Sequence, residues 1–328
     1  MKRAHLAASA LVFLGACSRR ETVAPIDGAV PPDAAALPAA QGPLDAGPST
    51  VDSGAPACTP SPAPKSATSI GHTSVVFKLL LPDGKKAAWK PDADKRRGRY
   101  RGEIGSYRLG VALGLAENVP PACAQSFTMA NLTQAFLGDS KGMNQLLDEV
   151  VNDGPNVHGA LIPWIDGLQL WTLEKEPVRT QTRGWLRGGT TIPEDKVDLA
   201  RQLADLVLLD YLTTNWDRYS GGNVGLDRTG KTVLFIDNDA AFMTAPPKSS
   251  AAHSRALLQD TDRFSRGSVA HLEALDEAAL GIALGDENGH PLFPAEVVHA
   301  LELRREELVR IIAAKRRIHG DDATLFFR

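Results

Sequence analysis

The stretch "DYLTTNWDRYSGGNV", residues 210–224, constrains this chain more than any other. It sets Asp210, Asp217, Asn215, Asn223, Arg218 and a glycine pair between two strongly apolar runs. Upstream, Val197, Ala200, Leu203, Val207 and Tyr211 recur at helical spacing and predict a buried helix over about 195–214. Downstream, "NVGLD", a turn through Thr229 and Gly230, and "KTVLFI" predict a hairpin that delivers "DND" at 237–239. A polar loop held between a buried helix and a hairpin is a place where a scaffold positions chemistry.

A second hairpin is expected further upstream. "TSVVFKLLLPDGKKAAWKP" holds two apolar runs around a Pro82-Asp83-Gly84 turn and ends at Lys90 and Pro91. "RGEIGSYRLGVALGL" then spaces Ile104, Tyr107, Val111 and Leu115 helically, with Glu103 in the first turn. Strand-end Lys, helix Glu, loop Asp, loop Asn and a post-hairpin Asp form the set that phosphoryl transfer uses, in kinase order. In that reading Lys90 contacts phosphates and Glu103 holds Lys90. Asp217 orients the acceptor hydroxyl, and Asp237 with Asn223 binds Mg²⁺ or Mn²⁺. Each residue alone has a plainer explanation. Asp217 and Arg218 could be an ion pair ending the helix, Asp237 could start a turn, and Glu103 could favour a helix N-terminus. The basic run "DADKRRGRYR" supplies competing cations for Glu103, and Asn215 could brace the loop. The joint placement of five roles favours chemistry.

The wording goes further than the order. "NWDRYSGGNV" followed by "FIDNDAAF", with twenty residues from Asp217 to Asp237, resembles the atypical secretory-pathway kinases that include the Golgi casein kinase and Four-jointed-like proteins. "AAWKP" and "RGEIGSYRLGVALGLAENVPP" resemble the Lys-bearing strand and Glu-bearing helix of that family. "DYLTTNWDR" is similar, more distantly, to type II phosphatidylinositol 4-kinases. The likeness covers residues 70–125 and 195–245. It implies an α+β, two-lobed atypical protein-kinase-like fold, with a small β-rich N-lobe and a mainly helical C-lobe. It also implies ATP as cofactor and Ser or Thr of a protein as acceptor, with glycan or inositol-lipid hydroxyls as alternatives. Three departures stand out. Asp239 replaces the expected Gly of the metal motif, as an added ligand or a distortion of the turn. No G-x-G-x-x-G loop exists, leaving Gly71 and His72, ahead of the first strand, as local candidates. Asn223 follows Asp217 by six residues rather than five.

The rest of the chain bounds where such a domain would work. "MKRAHLAASALVFLGAC" has Lys2 and Arg3 before a short apolar run and resembles a bacterial lipoprotein signal, with Cys17 as the lipidated residue. Ser18 in place of Asp favours outer-membrane retention. Residues 18–67 hold ten of the twenty-two prolines and no aromatic residue, so they cannot pack a core. As an extended tether they could span up to roughly 150 Å at about 3.1 Å per residue. The expected organisation is a signal over 1–17, a tether over 18–67 and a kinase-like domain over 68–328. Cys58 and Cys123 remain as a pair that an oxidising compartment could join.

The expected partners are a protein or glycan of the cell envelope and a membrane, reached through the lipid anchor. A net charge of −3 gives no footprint for nucleic acid. No H-E-x-x-H or C-x-x-C supports a zinc site. "HGALIPWIDGLQLWTLE" suggests one or two strands, and the tail from Leu258 is expected to be mostly helical. A supply of ATP beyond the inner membrane is not obvious, so a kinase-like binding module without transfer activity is the alternative function.

Overall fold

The hairpin around Pro82-Asp83-Gly84 forms, inside a sheet larger than expected. In the computed structural model, which describes residues 61–71, 74–244, 246–287 and 289–328, strands β1 (Ser66–Ser69), β2 (Phe77–Leu80), β3 (Lys86–Pro91), β4 (Cys123–Thr128) and β5 (Asn156–Pro163) pair antiparallel. Their order is β1-β2-β3-β5-β4. The described residues belong to one unit, Thr50–Arg328. The signal, most of the tether and Cys58 lie outside them. Cys123 is disulfide-bonded.

The pleat of this sheet decides where Lys90 points. Phe77 pairs with Trp89 and Leu79 with Ala87, so these four apolar side chains share one face. That face is covered by α2 (Met129–Ala135) and α3 (Ser140–Glu149), through Leu132, Phe136 and Leu146. Phe77 meets Phe136 edge-on at 4.6 Å, and Trp89 meets Phe127 at 5.2 Å. Aromatic pairs of this kind add about 0.5–1.5 kcal/mol beyond their burial. Lys90, one residue on from Trp89, must therefore emerge on the opposite face. There it lies level with Ala160, which in turn pairs with Ala124. Gly159 is required beside them, since a Cβ would sit 2.5 Å from Lys90 O.

Helix α1 (Tyr100–Ala112) packs on that second face and carries Glu103 in its first turn, as expected. The C-lobe follows: β6 (Gln169–Leu170), α4 (Val178–Leu186), α5 (Val197–Thr213), β7 (Val224–Leu226) and β8 (Val233–Phe235). Then come α6 (Lys248–Asp260), α7 (Arg266–Ala274), α8 (Glu277–Leu284), β9 (Asp286–Glu287), β10 (His290–Pro291), α9 (Ala295–His319) and α10 (Asp321–Thr324). The expected helix over 195–214 is α5, and nearly all of its side chains are buried in the larger core. Gln202 on α5 accepts from Val233 N at 2.6 Å and donates to Lys231 O at 2.9 Å, which fastens the β7–β8 hairpin to the helix. Asn118, after α1, donates to both Gln202 Oε1 and Val233 O at 2.8 Å. Among the described residues no helix is long and apolar enough to cross a membrane.

Candidate active site

Lys90 is the meeting point of the two lobes. Its Nζ donates to Glu103 Oε1 and to Asp237 Oδ1, each at 2.5 Å. Its side chain is 10% exposed and that of Glu103 4%, whereas Asp237 keeps 37%. Burial alone would depress the Lys90 ammonium, but the charges of Glu103, Asp237 and Asp239 reverse this and hold it above its ordinary value. Burial likewise works to raise Asp237, and Lys90 outweighs it, so this carboxyl lies below the usual range. Glu103, sealed more deeply, is pushed up by burial against the pull of Lys90. Asn238 N donates to Glu103 Oε1 at 2.9 Å, tying the same carboxylate to the acidic motif. The close approach of α1 to that motif needs Gly102, where a Cβ would lie 2.5 Å from Asn238 O.

The polar loop begins where α5 ends, at Thr214 in the left-handed region with φ of 51°. Its organiser is Arg218, for which the plainer alternative in the sequence is an ion pair with Asp217. The structure corrects this: Arg218 pairs with Asp210 on the last turns of α5, with Nε and Nη2 both 3.0 Å from the carboxylate. The same guanidinium donates to Asn223 O and Ile236 O at 2.6 Å and to Asn238 Oδ1 at 2.6 Å. One buried cation thus joins helix end, loop, hairpin and acidic motif. Asp217 is left partly exposed, and its carboxylate has no hydrogen bond or ion pair among the described residues. Its backbone O accepts from Asn223 Nδ2 at 2.7 Å, while Asn215 Oδ1 accepts from Asp217 N at 3.4 Å. Asn215 braces the loop.

The departures from the kinase pattern find physical explanations. Asp239 is a structural anion: Arg99 donates through Nη2 to its Oδ1 at 2.5 Å and through Nε to its backbone O at 2.9 Å, with Arg96 at 3.8 Å. That engagement occupies Arg96 and Arg99, two of the five cations of the basic run. Arg99 also lies over the Trp216 ring, 5.8 Å from its centroid. Gly71 does not precede the first strand. It lies in the turn between β1 and β2, where a Cβ would collide with Ser74 O at 1.8 Å. β1 escapes sequence reading because its four residues, "SATS", are short and polar.

A cavity of about 390 Å³ opens between these parts. Val76, Ala88 and Ile162 from the sheet and Leu168 and Ile236 from below make it apolar at one side, while Lys90, Asp237 and Asn223 line it at the other. An apolar slot with a few convergent charges suits a flat base carrying a phosphate chain. Among the described residues no three His, Cys, Asp or Glu side chains form a metal cage. Asp237 Oδ2 and Asn223 Oδ1 nonetheless have no partner among them, and both residues line the cavity. One carboxylate and one amide oxygen fit a hard cation that takes its other ligands from phosphates and water. Four of the five expected residues, Lys90, Glu103, Asn223 and Asp237, therefore line one cleft, while Asp217 is not in its lining and is tied to it through the bond from Asn223 Nδ2 to its backbone O. Arg218, Asp210, Asn238 and Arg99 are additions that only the structure reveals.

No family model and no curated protein matches the sequence. Solved structures do match. A structure of the Golgi casein kinase superposes with a TM-score of 0.60 at 15% identity, covering 81% of this chain and 74% of that one. The Golgi casein kinase with Mn/ADP bound gives 0.57 at 14% identity, over 79% and 74%. Hydra Fam20 with sugar gives 0.55 at 14% identity, over 80% and 88%. The chain has the two-lobed α+β fold of these atypical kinases, as the sequence resemblance implied.

Proposed function

We propose that this chain, with the fold of the Golgi casein kinase, is an atypical kinase that moves the γ-phosphoryl group of ATP to a hydroxyl group. The observation that carries the reading is Lys90, bonded at once to Glu103 of α1 and to Asp237 of the acidic motif at the mouth of the cavity. An ammonium has three donors; two are engaged, and the third is left for a phosphate oxygen. Glu103 and Asn238 fix the direction of that ammonium, so its charge is already placed when the nucleotide enters. Asp237 and Asn223 would hold Mg²⁺ or Mn²⁺, which when bound neutralises phosphate charge. Asp217, whose carboxylate has no partner among the described residues, accepts the proton of the acceptor hydroxyl. The hydroxyl oxygen bonds to the γ-phosphorus as the bond to the bridging oxygen breaks, and ADP leaves with that electron pair. Ser or Thr side chains of exported or surface proteins are the proposed acceptors. The chain would act in the bacterial cell envelope, anchored through Cys17 and held off the membrane by residues 18–67.

Transfer of labelled γ-phosphate from ATP to casein, a serine-rich acceptor, tests the assignment. Asp217→Asn is expected to lower the rate by about 10²–10⁴-fold with melting temperature unchanged, as for loss of a positioned base. Full activity in that variant would sink the role given to Asp217. Nucleotide binding without transfer to protein, glycan or inositol lipid would leave a kinase fold in binding service.

A further inference from the structure

A second cavity, of about 290 Å³, lies on the C-lobe away from the nucleotide cleft. Its walls come from the end of α5, the first residues of the catalytic loop, α6 and α9. Tyr211, Trp216, Pro246 and Ala251 make it largely apolar, and two arginines enter it, Arg255 and Arg304. Their electrostatic situations differ. Arg255 is ion-paired with Glu307. Arg304 has no carboxylate within ion-pair distance among the described residues; its one hydrogen bond there runs from Nε to Leu212 O at 2.6 Å. That bond caps a carbonyl at the end of α5, a structural duty that uses one of five guanidinium donors. None of the remaining nitrogens is sealed from solvent. Burial without a compensating anion pushes the Arg304 guanidinium down to about 10. A half-buried cation at an apolar pocket, with donors still open, is completed by an anion.

We propose that this pocket binds a small organic anion, an apolar, preferably aromatic body bearing one carboxylate or phosphate, with Arg304 holding the charge. Charge complementarity selects the occupant. Two arginines against one glutamate leave the pocket one positive charge in excess, and Tyr211 and Trp216 add aromatic surface to its lining. The cavity lies at the small end of ligand sites, which suits a fragment of about ten heavy atoms. Nothing in the pocket contributes to the cleft lined by Lys90 and Asp237, so the site is separate from the nucleotide site. It touches the catalytic loop directly, because Trp216 precedes Asp217.

The test is a titration of the full chain with phenyl phosphate, benzoate and inorganic phosphate, read by tryptophan fluorescence, with Trp216→Phe identifying the reporting ring. The expected result is saturable binding of phenyl phosphate or benzoate with a dissociation constant on the order of 1 mM or tighter. Benzoate binding as tightly as phenyl phosphate marks a carboxylate site, and the reverse order a phosphate site; both uphold an organic anion. Arg304→Gln should weaken binding about ten-fold or more, one charge-assisted contact being lost. Because that change also removes the Leu212 cap, Ala251→Phe serves as a second variant. It narrows the pocket from α6 and leaves Arg304 in place. The proposal is overturned if neither organic anion saturates, if inorganic phosphate competes equally well, or if both variants bind as the parent does.

Discussion

Replacing Arg218 by Met removes the cation that joins α5 to the loop and the acidic motif. Asp210 would remain 4% exposed with no counter-charge, and Asn223 O, Ile236 O and Asn238 Oδ1 would each lose a donor. Breaking a buried pair from one side costs about 3–5 kcal/mol. For a domain of this size each kcal/mol moves the melting temperature by about 2–4 °C, so the expected drop is roughly 6–20 °C. Arg218→Met combined with Asp210→Leu should recover about 1–3 kcal/mol, since the unpaired charge is gone while the carbonyl contacts stay lost. The deficit should also depend on pH. Burial already raises Asp210 and the guanidinium counteracts it; without Arg218 the carboxyl rises further above its unfolded value. The folded variant then binds more protons than the unfolded chain between those two values, so its stability falls as pH rises through that window. Thermal denaturation at pH 5 and pH 8 measures both effects. A loss below about 1 kcal/mol with no pH dependence would refute the claim that Arg218 is the electrostatic hub.

Asp205 offers a substitution expected to stabilise: burial holds its carboxyl up at about 6, above the usual aspartate value, and its Oδ1 has no partner among the described residues. The folded state therefore loses stability as pH climbs from about 4 to about 6, and Asp205→Asn should gain about 1–3 kcal/mol at pH 7.5 and little at pH 4 by chemical denaturation. Asp239→Gly frees Arg99 and Arg96; it should cost about 1–3 kcal/mol but leave metal-dependent ATP binding measurable by calorimetry, whereas abolition of metal dependence would make Asp239 a ligand after all. Gly102→Ala presses a Cβ against Asn238 O and should lower both stability, by about 1–3 kcal/mol, and ATP affinity; unchanged affinity would show that α1 need not approach the motif so closely.

Sequence reading succeeded where the signal was local. The periodic run over 197–211 and both hairpins each lie within one short window, and the helix carrying Glu103 follows at once on the strand carrying Lys90. It failed where partners are chosen across the fold. Arg218 stands beside Asp217 in the chain, yet the helix end turns it back onto Asp210, eight residues earlier. Arg99 reaches Asp239 across 140 residues, and no periodicity encodes that. Between 124 and 193 the elements are short and interrupted by Gly and Pro, so strand β5 was visible but α2, α3 and α4 were not. Asp239 looked like a defect in the motif only because its two arginines sit in a stretch that reads as a solvated basic face.

The measurement closest to the central claim is a thermal-shift titration of the chain with ATP, with and without Mg²⁺ or Mn²⁺, beside Asp237→Ala. A ligand bound only by the folded state stabilises it by mass action, about 2.7 kcal/mol at a hundred-fold excess over its dissociation constant. The expected result is a rise in melting temperature that needs the divalent ion and that Asp237→Ala loses. No rise at millimolar ATP with either ion, or an equal rise in the variant, would contradict a nucleotide site built on Lys90, Glu103 and Asp237.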